Sequence, residues 1–272
     1  QGEGTTIRVE PDTVFTLREV EEGGERRSVM TSAVGSVSYR FNRLTGREPR
    51  VGSAAVVAGI RGTELTVYAG SDGSTLFLVD SGLVEVTSAG ETVSLTEAQG
   101  VEVGAGQPPG EVFELPESPV DYADWNGQKK SGFLQDPVTA LSLVAEQLRV
   151  YYQTLDELEP IRQETRAEFQ QARDQLQKLR EEGKEEEAET FDESVYEPLQ
   201  AKTAGILLNL RYNALSALSL RRYAVGNMYL EMKTRYMLNK GDPEYVSFLE
   251  LYDDVVERFD REVTEYLGSS DI

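Results

Sequence analysis

The hydrophobic pattern of the chain changes near Asp136, and this change constrains the fold more than any other feature. Before it, short runs rich in Val, Thr, Leu and Tyr alternate with turns that contain glycine, whereas after it apolar residues recur every three or four positions. The first pattern is typical of β-strands and the second of amphipathic helices. The sequence therefore predicts an α+β chain with two segregated domains: an N-terminal all-β sandwich or roll, then an antiparallel bundle of about four helices.

Residues 5–115 are predicted to form the β domain, with strands that recur roughly every 8–10 residues. Asp72-Gly73 is expected to form a hairpin turn, because glycine adopts positive φ without steric cost. Ser81-Gly82, Ala89-Gly90 and Gln99-Gly100 are interpreted in the same way, as turns that separate consecutive strands.

Residues 116–135 are predicted to be a connector without a regular element, because prolines and glycines crowd residues 104–119, just before it and at its start. The connector contains three large aromatic residues, Tyr122, Trp125 and Phe133. We expect them to hold the two domains together by packing between them. The alternative is that they form a surface on which a ligand stacks.

Residues 136–268 are predicted to form the helical bundle. Asp136-Pro137 favours a helix start, with an acidic cap followed by proline in the first turn. Pro160 is expected to open a second helix, a third runs to about Asn239, and Asp242-Pro243 opens the last. Four antiparallel helices would bury their apolar stripes against one another.

The chain contains no histidine and no cysteine, which narrows the chemistry it can perform. Ser–His and Cys–His nucleophile pairs are excluded, as are zinc sites of the Cys/His type. We therefore expect a protein that is not an enzyme, with no catalytic residues, no cofactor and no metal. A hydrolase that uses carboxylates ranks below every binding function.

The net charge is −21, from 27 Lys and Arg against 48 Asp and Glu. A surface this acidic repels phosphate backbones, so no nucleic-acid partner is expected. No stretch reaches the roughly 18–20 apolar residues of a membrane-spanning helix, so no membrane span is expected either.

One short motif stands out in the β domain: Gly59, Ile60, Arg61, Gly62, Thr63 and Glu64. The two glycines permit a β-bulge or a close approach of two backbones. Arg61 is expected to point inward and to pair with Glu64, another carboxylate or backbone carbonyls, so the motif would be structural. The alternative is an exposed Arg61 that binds a partner.

The segment Ala54–Val67, which contains this motif, is similar to the signature of FecR-like domains. The strands after Asp72-Gly73 follow the same order, and the resemblance covers roughly residues 30–105. Two positions depart from the family pattern: Leu65 stands where Phe is usual, and Gln99-Gly100 reverses the usual order.

The resemblance implies an extracytoplasmic β domain, so we expect a periplasmic or otherwise extracytoplasmic protein whose export signal has been removed. The best-known FecR-like proteins detect a signal from an outer-membrane receptor through their extracytoplasmic part, and they control a sigma factor through a cytoplasmic segment. The helical half lies outside that pattern. We therefore expect this chain to share the extracytoplasmic location of FecR-like proteins more than their control of a sigma factor.

The expected function is docking, sensing or signal relay with an envelope protein partner, and the bundle offers a surface for homo-oligomerisation. The alternative is a structural envelope protein that binds glycan or cell-wall material.

Overall fold

The computed structural model describes residues 5–41 and 49–268. The described residues contain nine strands, all in one mixed sheet: β1 (Thr6–Val9), β2 (Val14–Glu22), β3 (Glu25–Arg40), β4 (Arg50–Ser53), β5 (Val57–Ala69), β6 (Thr75–Ser88), β7 (Glu91–Leu95), β8 (Gln99–Val103) and β9 (Phe113–Glu114). The helices are α1 (Tyr122–Phe133), α2 (Pro137–Glu181), α3 (Glu185–Phe191), α4 (Glu197–Leu220), α5 (Gly226–Arg235) and α6 (Pro243–Gly268).

The order of the elements confirms the predicted α+β architecture, with a β region followed by a helical region. The described strands form one sheet rather than the two of a sandwich, in the order β1-β3-β4-β5-β6-β8-β9, with β2 on β3 and β7 on β6. All pairings between these strands are antiparallel except that of β3 with β4.

Two of the four expected turns in the β region are confirmed, and two are wrong. Gln99-Gly100 is not a turn, because it begins β8. Asp72-Gly73 lies between β5 and β6, and Ala89-Gly90 lies between β6 and β7. Ser81-Gly82 lies within β6, which continues as one strand of 14 residues. Gly82 has φ +94°, which bends a strand as readily as it closes a turn.

The expectation that Pro160 opens a helix is also wrong, because α2 continues through it for 45 residues. A proline removes one backbone hydrogen bond from a helix interior and crowds the preceding turn. Here α2 packs against α4 and α6, and it buries side chains on both sides of Pro160, such as Leu155 and Thr165. This packing holds the helix together across the proline.

The third predicted helix is a continuous helical stretch, from Glu185 to Arg235, in which two π-helical turns separate α3, α4 and α5. The turns lie at Asp192–Tyr196 and Arg221–Val225. With α1, α2 and α6, this stretch gives about four helical elements. The predicted number of helices is confirmed, although their bounds differ from the predicted ones. The helix α2 spans the first two predicted helices, and α1 lies in the predicted connector.

The connector is not free of regular structure, because residues 122–133 form α1. The Asp121 side chain accepts a hydrogen bond from the Asp124 amide and caps the helix. Gly127 lies in its interior and Gly132 in its last turn, and at both positions a Cβ atom would meet no heavy atom within 4 Å. Glycine has a low helix propensity, but packing of the aromatic side chains of α1 against the sheet and the helical region outweighs it.

Sheet and helices share one hydrophobic core instead of having a core each. One cluster of buried side chains includes Val67 and Phe77 of the sheet together with Leu141, Leu210 and Phe248 of the helices. A smaller cluster lies under α1 and contains Tyr68, Leu76, Leu78 and Trp125. Within residues 5–41 and 49–268, no helix is long and apolar enough to cross a membrane.

Candidate functional site

The motif of residues 59–64 forms a β-bulge in β5. The pairing of β5 with β6 shifts register between Arg61 and Glu64, and Gly62 has φ +56°. The Thr63 side chain, only 1% exposed, bridges the bulge. Its Oγ1 accepts a hydrogen bond from the Arg61 amide at 3.2 Å and donates one to the Leu83 carbonyl at 3.0 Å. The hydroxyl therefore serves two backbone groups at the point where the ladder is irregular.

Gly82 lies opposite this bulge on β6. Glycine is favoured there both by the positive φ of +94° and by the lack of room for a Cβ atom. A Cβ atom at Gly82 would lie 2.5 Å from the Gly62 carbonyl oxygen. A Cβ atom at Gly59 would meet no heavy atom within 4 Å. The close approach predicted for this motif therefore involves Gly62 and Gly82, not Gly59.

The expectation that Arg61 points inward is wrong. Ile60 faces the core, so strand alternation places Arg61 on the exposed side, and the bulge then turns Thr63 inward. The Glu64 carboxylate accepts a hydrogen bond of 2.6 Å from Arg40 on the neighbouring strand β3.

Two of the connector aromatics pack on the sheet. Trp125 is 6% exposed and donates a hydrogen bond of 2.9 Å from Nε1 to Glu102 on β8. The Tyr122 hydroxyl donates to the Ala69 carbonyl and accepts from the Gly35 amide, each at 3.0 Å. These contacts fix α1 on β3, β5 and β8.

Phe133, at the other end of α1, belongs to the main core and lies 6.3 Å from Phe248 of α6 between ring centroids. The helix α1 therefore links the sheet to the helical region. Both Phe133 and Trp125 are buried, so neither ring presents a free face to a ligand.

A cleft that the sequence did not indicate lies between the outer edge of the sheet and α4; we call it the edge groove. Its volume is about 680 Å³. It is lined by Thr16, Leu17, Arg18 and Glu19 of β2, Ser28 of β3, and Leu208, Arg211, Tyr212 and Leu215 of α4. In the described part of the chain, β2 pairs only with β3, so its other side is an open sheet edge.

The register of the β2–β3 hairpin decides which backbone groups face this open edge. Glu22 pairs with Glu25 across a turn of two glycines, and from there hydrogen-bonded and non-bonded positions alternate along the strand. By this alternation the backbone groups of Arg18 and Val20 point to β3, whereas those of Leu17, Glu19 and Glu21 point to the edge.

Asn209 of α4 occupies the edge at Glu21. The Asn209 Oδ1 atom accepts from the Glu21 amide at 2.8 Å, and Nδ2 donates to the Glu21 carbonyl at 2.9 Å. The side-chain amide thus makes the pair of bonds that a neighbouring strand would make. Leu17 and Glu19 have no corresponding partner among the residues that the structure describes.

The side chain of Arg18 lines the edge groove, and its guanidinium donates hydrogen bonds to two serines of α4. Its Nη1 donates to Ser216 Oγ and its Nη2 to Ser219 Oγ, each at 3.2 Å. Over residues 5–41 and 49–268 the structure shows no carboxylate paired with it. Burial lowers the pKa of Arg18, and the nearby Tyr212 and Tyr151 hydroxyls oppose this effect. The site therefore holds a half-buried cation that lacks an anionic partner.

Sequence reasoning missed Arg18 and Asn209, although a weak signal for Arg18 was present. Thr16, Arg18 and Val20 alternate on one face of β2, which puts an arginine on the side that packs on the helices. Ser216 and Ser219 interrupt an apolar run of α4 one helical turn apart. Nothing in the sequence pairs these segments, which lie nearly two hundred positions apart.

Metal binding has no candidate site in the described part of the chain. No group of three or more His, Cys, Asp or Glu side chains there is arranged to hold a metal ion.

Comparison with known proteins assigns no family to the chain. No family model matches it, and no curated protein matches it. Two crystal structures that match are of a protein from Parabacteroides distasonis ATCC 8503, provisionally described as an anti-sigma factor. They are 17% and 20% identical over 47% and 49% of this chain, each with a TM-score of 0.29. The matches span 61% of those chains, less than two thirds of their length.

Proposed function

We propose that this chain is a non-catalytic, extracytoplasmic interaction protein that docks a protein partner of the cell envelope through the edge groove. One observation carries the proposal: the same cleft contains the open edge of β2, the exposed Leu17 and the guanidinium of Arg18, which two serines hold in place. Leu17 is 63% exposed at the rim of this cleft. These are groups that bind a polypeptide by backbone, apolar and ionic contacts.

The extracytoplasmic location rests on the FecR-like resemblance of residues 30–105. The bulge at Gly62 and Thr63 gives the conspicuous residues of that resemblance a role in holding β5 against β6. The motif then supports the sheet that carries the groove, and the groove receives the partner. Sensing or relay of a signal would follow from docking at this edge.

Burial of Trp125 and Phe133 disfavours binding of glycan through the connector aromatics. That alternative needs an exposed ring for stacking, and Trp125 is buried against the sheet. Homo-oligomerisation through the helical region stays a prediction.

The test is capture of envelope proteins in the native host by the tagged full-length chain, with cross-linking before lysis. Leu17→Asp places a charge on the rim of the groove. Leu238→Asp makes the same change at a residue that is 95% exposed and lies outside the groove lining. We expect the wild-type chain and Leu238→Asp to capture the same envelope protein, and Leu17→Asp to lose it.

Equal capture by both variants would remove the edge groove from the account. Recovery of the wild-type chain in the cytoplasmic fraction would contradict the extracytoplasmic location.

A further inference from the structure

The backbone of β2 offers strand-type hydrogen bonds at its open edge. Leu17 and Glu19 each direct an N–H and a C=O group outward, and residues two apart on a strand lie roughly 6.6 Å apart. An extended peptide repeats at the same interval. Asn209 shows that this edge forms such bonds, since its side chain already makes them with Glu21.

Most of the side chains that line the groove on the helical side are apolar or aromatic. Leu208, Tyr212 and Leu215 of α4 line it opposite β2. A strand added at Leu17 and Glu19 would direct alternate side chains toward α4 and away from it. Apolar or β-branched side chains at these alternate positions would cover the leucines.

The charge of the groove differs in sign from that of the molecule. Its lining holds Arg18 and Arg211 against one acidic residue, Glu19, whereas the whole chain carries −21. Two of the five N–H donors of Arg18 are used by serine hydroxyls, which leaves the others for an anion. A carboxylate on the incoming strand would compensate the half-buried guanidinium.

A second copy of this chain is a poorer occupant than a separate peptide. Two copies would each bring a charge of −21 to the contact, which opposes their association. The partner should therefore be a locally extended, acidic segment of another polypeptide.

We propose that the edge groove binds an extended peptide segment that adds to β2 as a strand, with an Asp or Glu side chain on Arg18 and apolar side chains against α4. This inference rests on the proposed function and specifies its partner by chemistry.

The test starts from a random display library of peptides about eight residues long, a length typical of a strand. The library is selected on the full-length chain and counter-selected on Leu17→Pro. Proline removes the outward N–H of Leu17, which the β2–β3 ladder does not use. Thermal melting of each variant confirms that it is folded. We expect enrichment of alternating apolar or β-branched residues with Asp or Glu at one fixed position.

The best peptide and its analogue with the acid replaced by its amide are then compared by fluorescence anisotropy. We expect the acid to bind about tenfold more tightly, the range of one charge-assisted hydrogen bond. Arg18→Gln should abolish this difference. Arg8→Gln changes an exposed arginine of β1 and should preserve it. Leu17→Pro should weaken both peptides at least tenfold.

Selected peptides without an acidic position, or equal binding by Leu17→Pro, would overturn the proposal. So would a chain that dimerises in sedimentation and is made monomeric by Leu17→Pro, because the occupant would then be a second copy. If no peptide is enriched while envelope capture still depends on Leu17, strand addition fails and the proposed function stands. If peptides bind as expected while Leu17→Asp retains the envelope partner, the proposed function fails instead.

Discussion

At the scale of single residues, Thr63 and Gly82 show what the conspicuous motif does. The Thr63 hydroxyl completes hydrogen bonding around the bulge, and Gly82 makes room for the Gly62 carbonyl. Sequence reasoning found the motif and its glycines but gave its arginine the wrong side. Whether a bulge falls before or after a residue decides which face that residue occupies, and local sequence does not specify this.

Substitution of the two nearby glycines should separate the one that is required from the one that is not. Gly82→Ala places a Cβ atom against the Gly62 carbonyl at positive φ, so we expect a loss of roughly 1–3 kcal/mol in the free energy of unfolding. Gly59→Ala meets open space and should change it by less than about 0.5 kcal/mol. Urea unfolding of both variants measures the difference, and equal losses would refute this description of the bulge.

The carboxyl of Asp80 should make the stability of the chain depend on pH. Partial desolvation of this carboxyl, with a smaller effect of the nearby Glu64 carboxylate, raises its pKa above the ordinary value. A raised pKa of a folded carboxyl destabilises the protein above that pKa, and the penalty disappears as the pH falls below the pKa of the unfolded chain.

Asp80→Asn should therefore raise the melting temperature at pH 7, and the gain should shrink as the pH is lowered toward about 4. Glu91→Gln removes one charge from an exposed position of β7 and controls for the lower net charge. A gain that stays constant with pH, or that Glu91→Gln matches at every pH, would contradict the assignment.

At the scale of elements, the contact between β2 and α4 builds the groove, and Asn209 is its fixed point. Asn209→Asp keeps an acceptor for the Glu21 amide but loses the donor to the Glu21 carbonyl. We expect a loss of about 1–3 kcal/mol in the free energy of unfolding, because a carbonyl loses its partner and faces a carboxylate.

Asn213→Asp is the matched control for this change. Its Nδ2 atom donates to the Asn209 carbonyl one turn earlier, so the contact lies within α4. Urea unfolding should show a clearly smaller loss than for Asn209→Asp. Equal losses would mean that the amide does not act as the partner of the strand.

The elements differ in how far the sequence predicts them. Strand-rich and helix-rich regions follow from hydrophobic periodicity, and Asp136 caps its helix as expected, accepting from the Thr139 amide. The predictions at Pro160 and Gly82 were wrong for the same reason. Either residue type ends a helix or strand only where tertiary packing does not hold the flanking residues in that element. The groove could not be predicted, because it depends on side chains brought together from β2 and α4.

At the scale of the whole molecule, sheet and helices form one body around a shared core. Residues 1–115 alone would expose sheet side chains such as Val67 and Phe77 that the helices help to cover. We expect this fragment not to fold stably, with poor dispersion in its ¹H–¹⁵N spectrum, whereas the full-length chain is well dispersed. A well-dispersed spectrum of the fragment would show an independent β domain.

The central claim is that a partner joins the sheet at β2, and amide hydrogen exchange of the full-length chain tests it most directly. In the free protein the Leu17 and Glu19 amides should exchange quickly, and the Arg18 and Val20 amides slowly, because only the latter bond to β3. At saturation with the captured partner or a selected peptide, the account predicts that Leu17 and Glu19 become protected as well. Unchanged exchange at both amides in the saturated complex would contradict it.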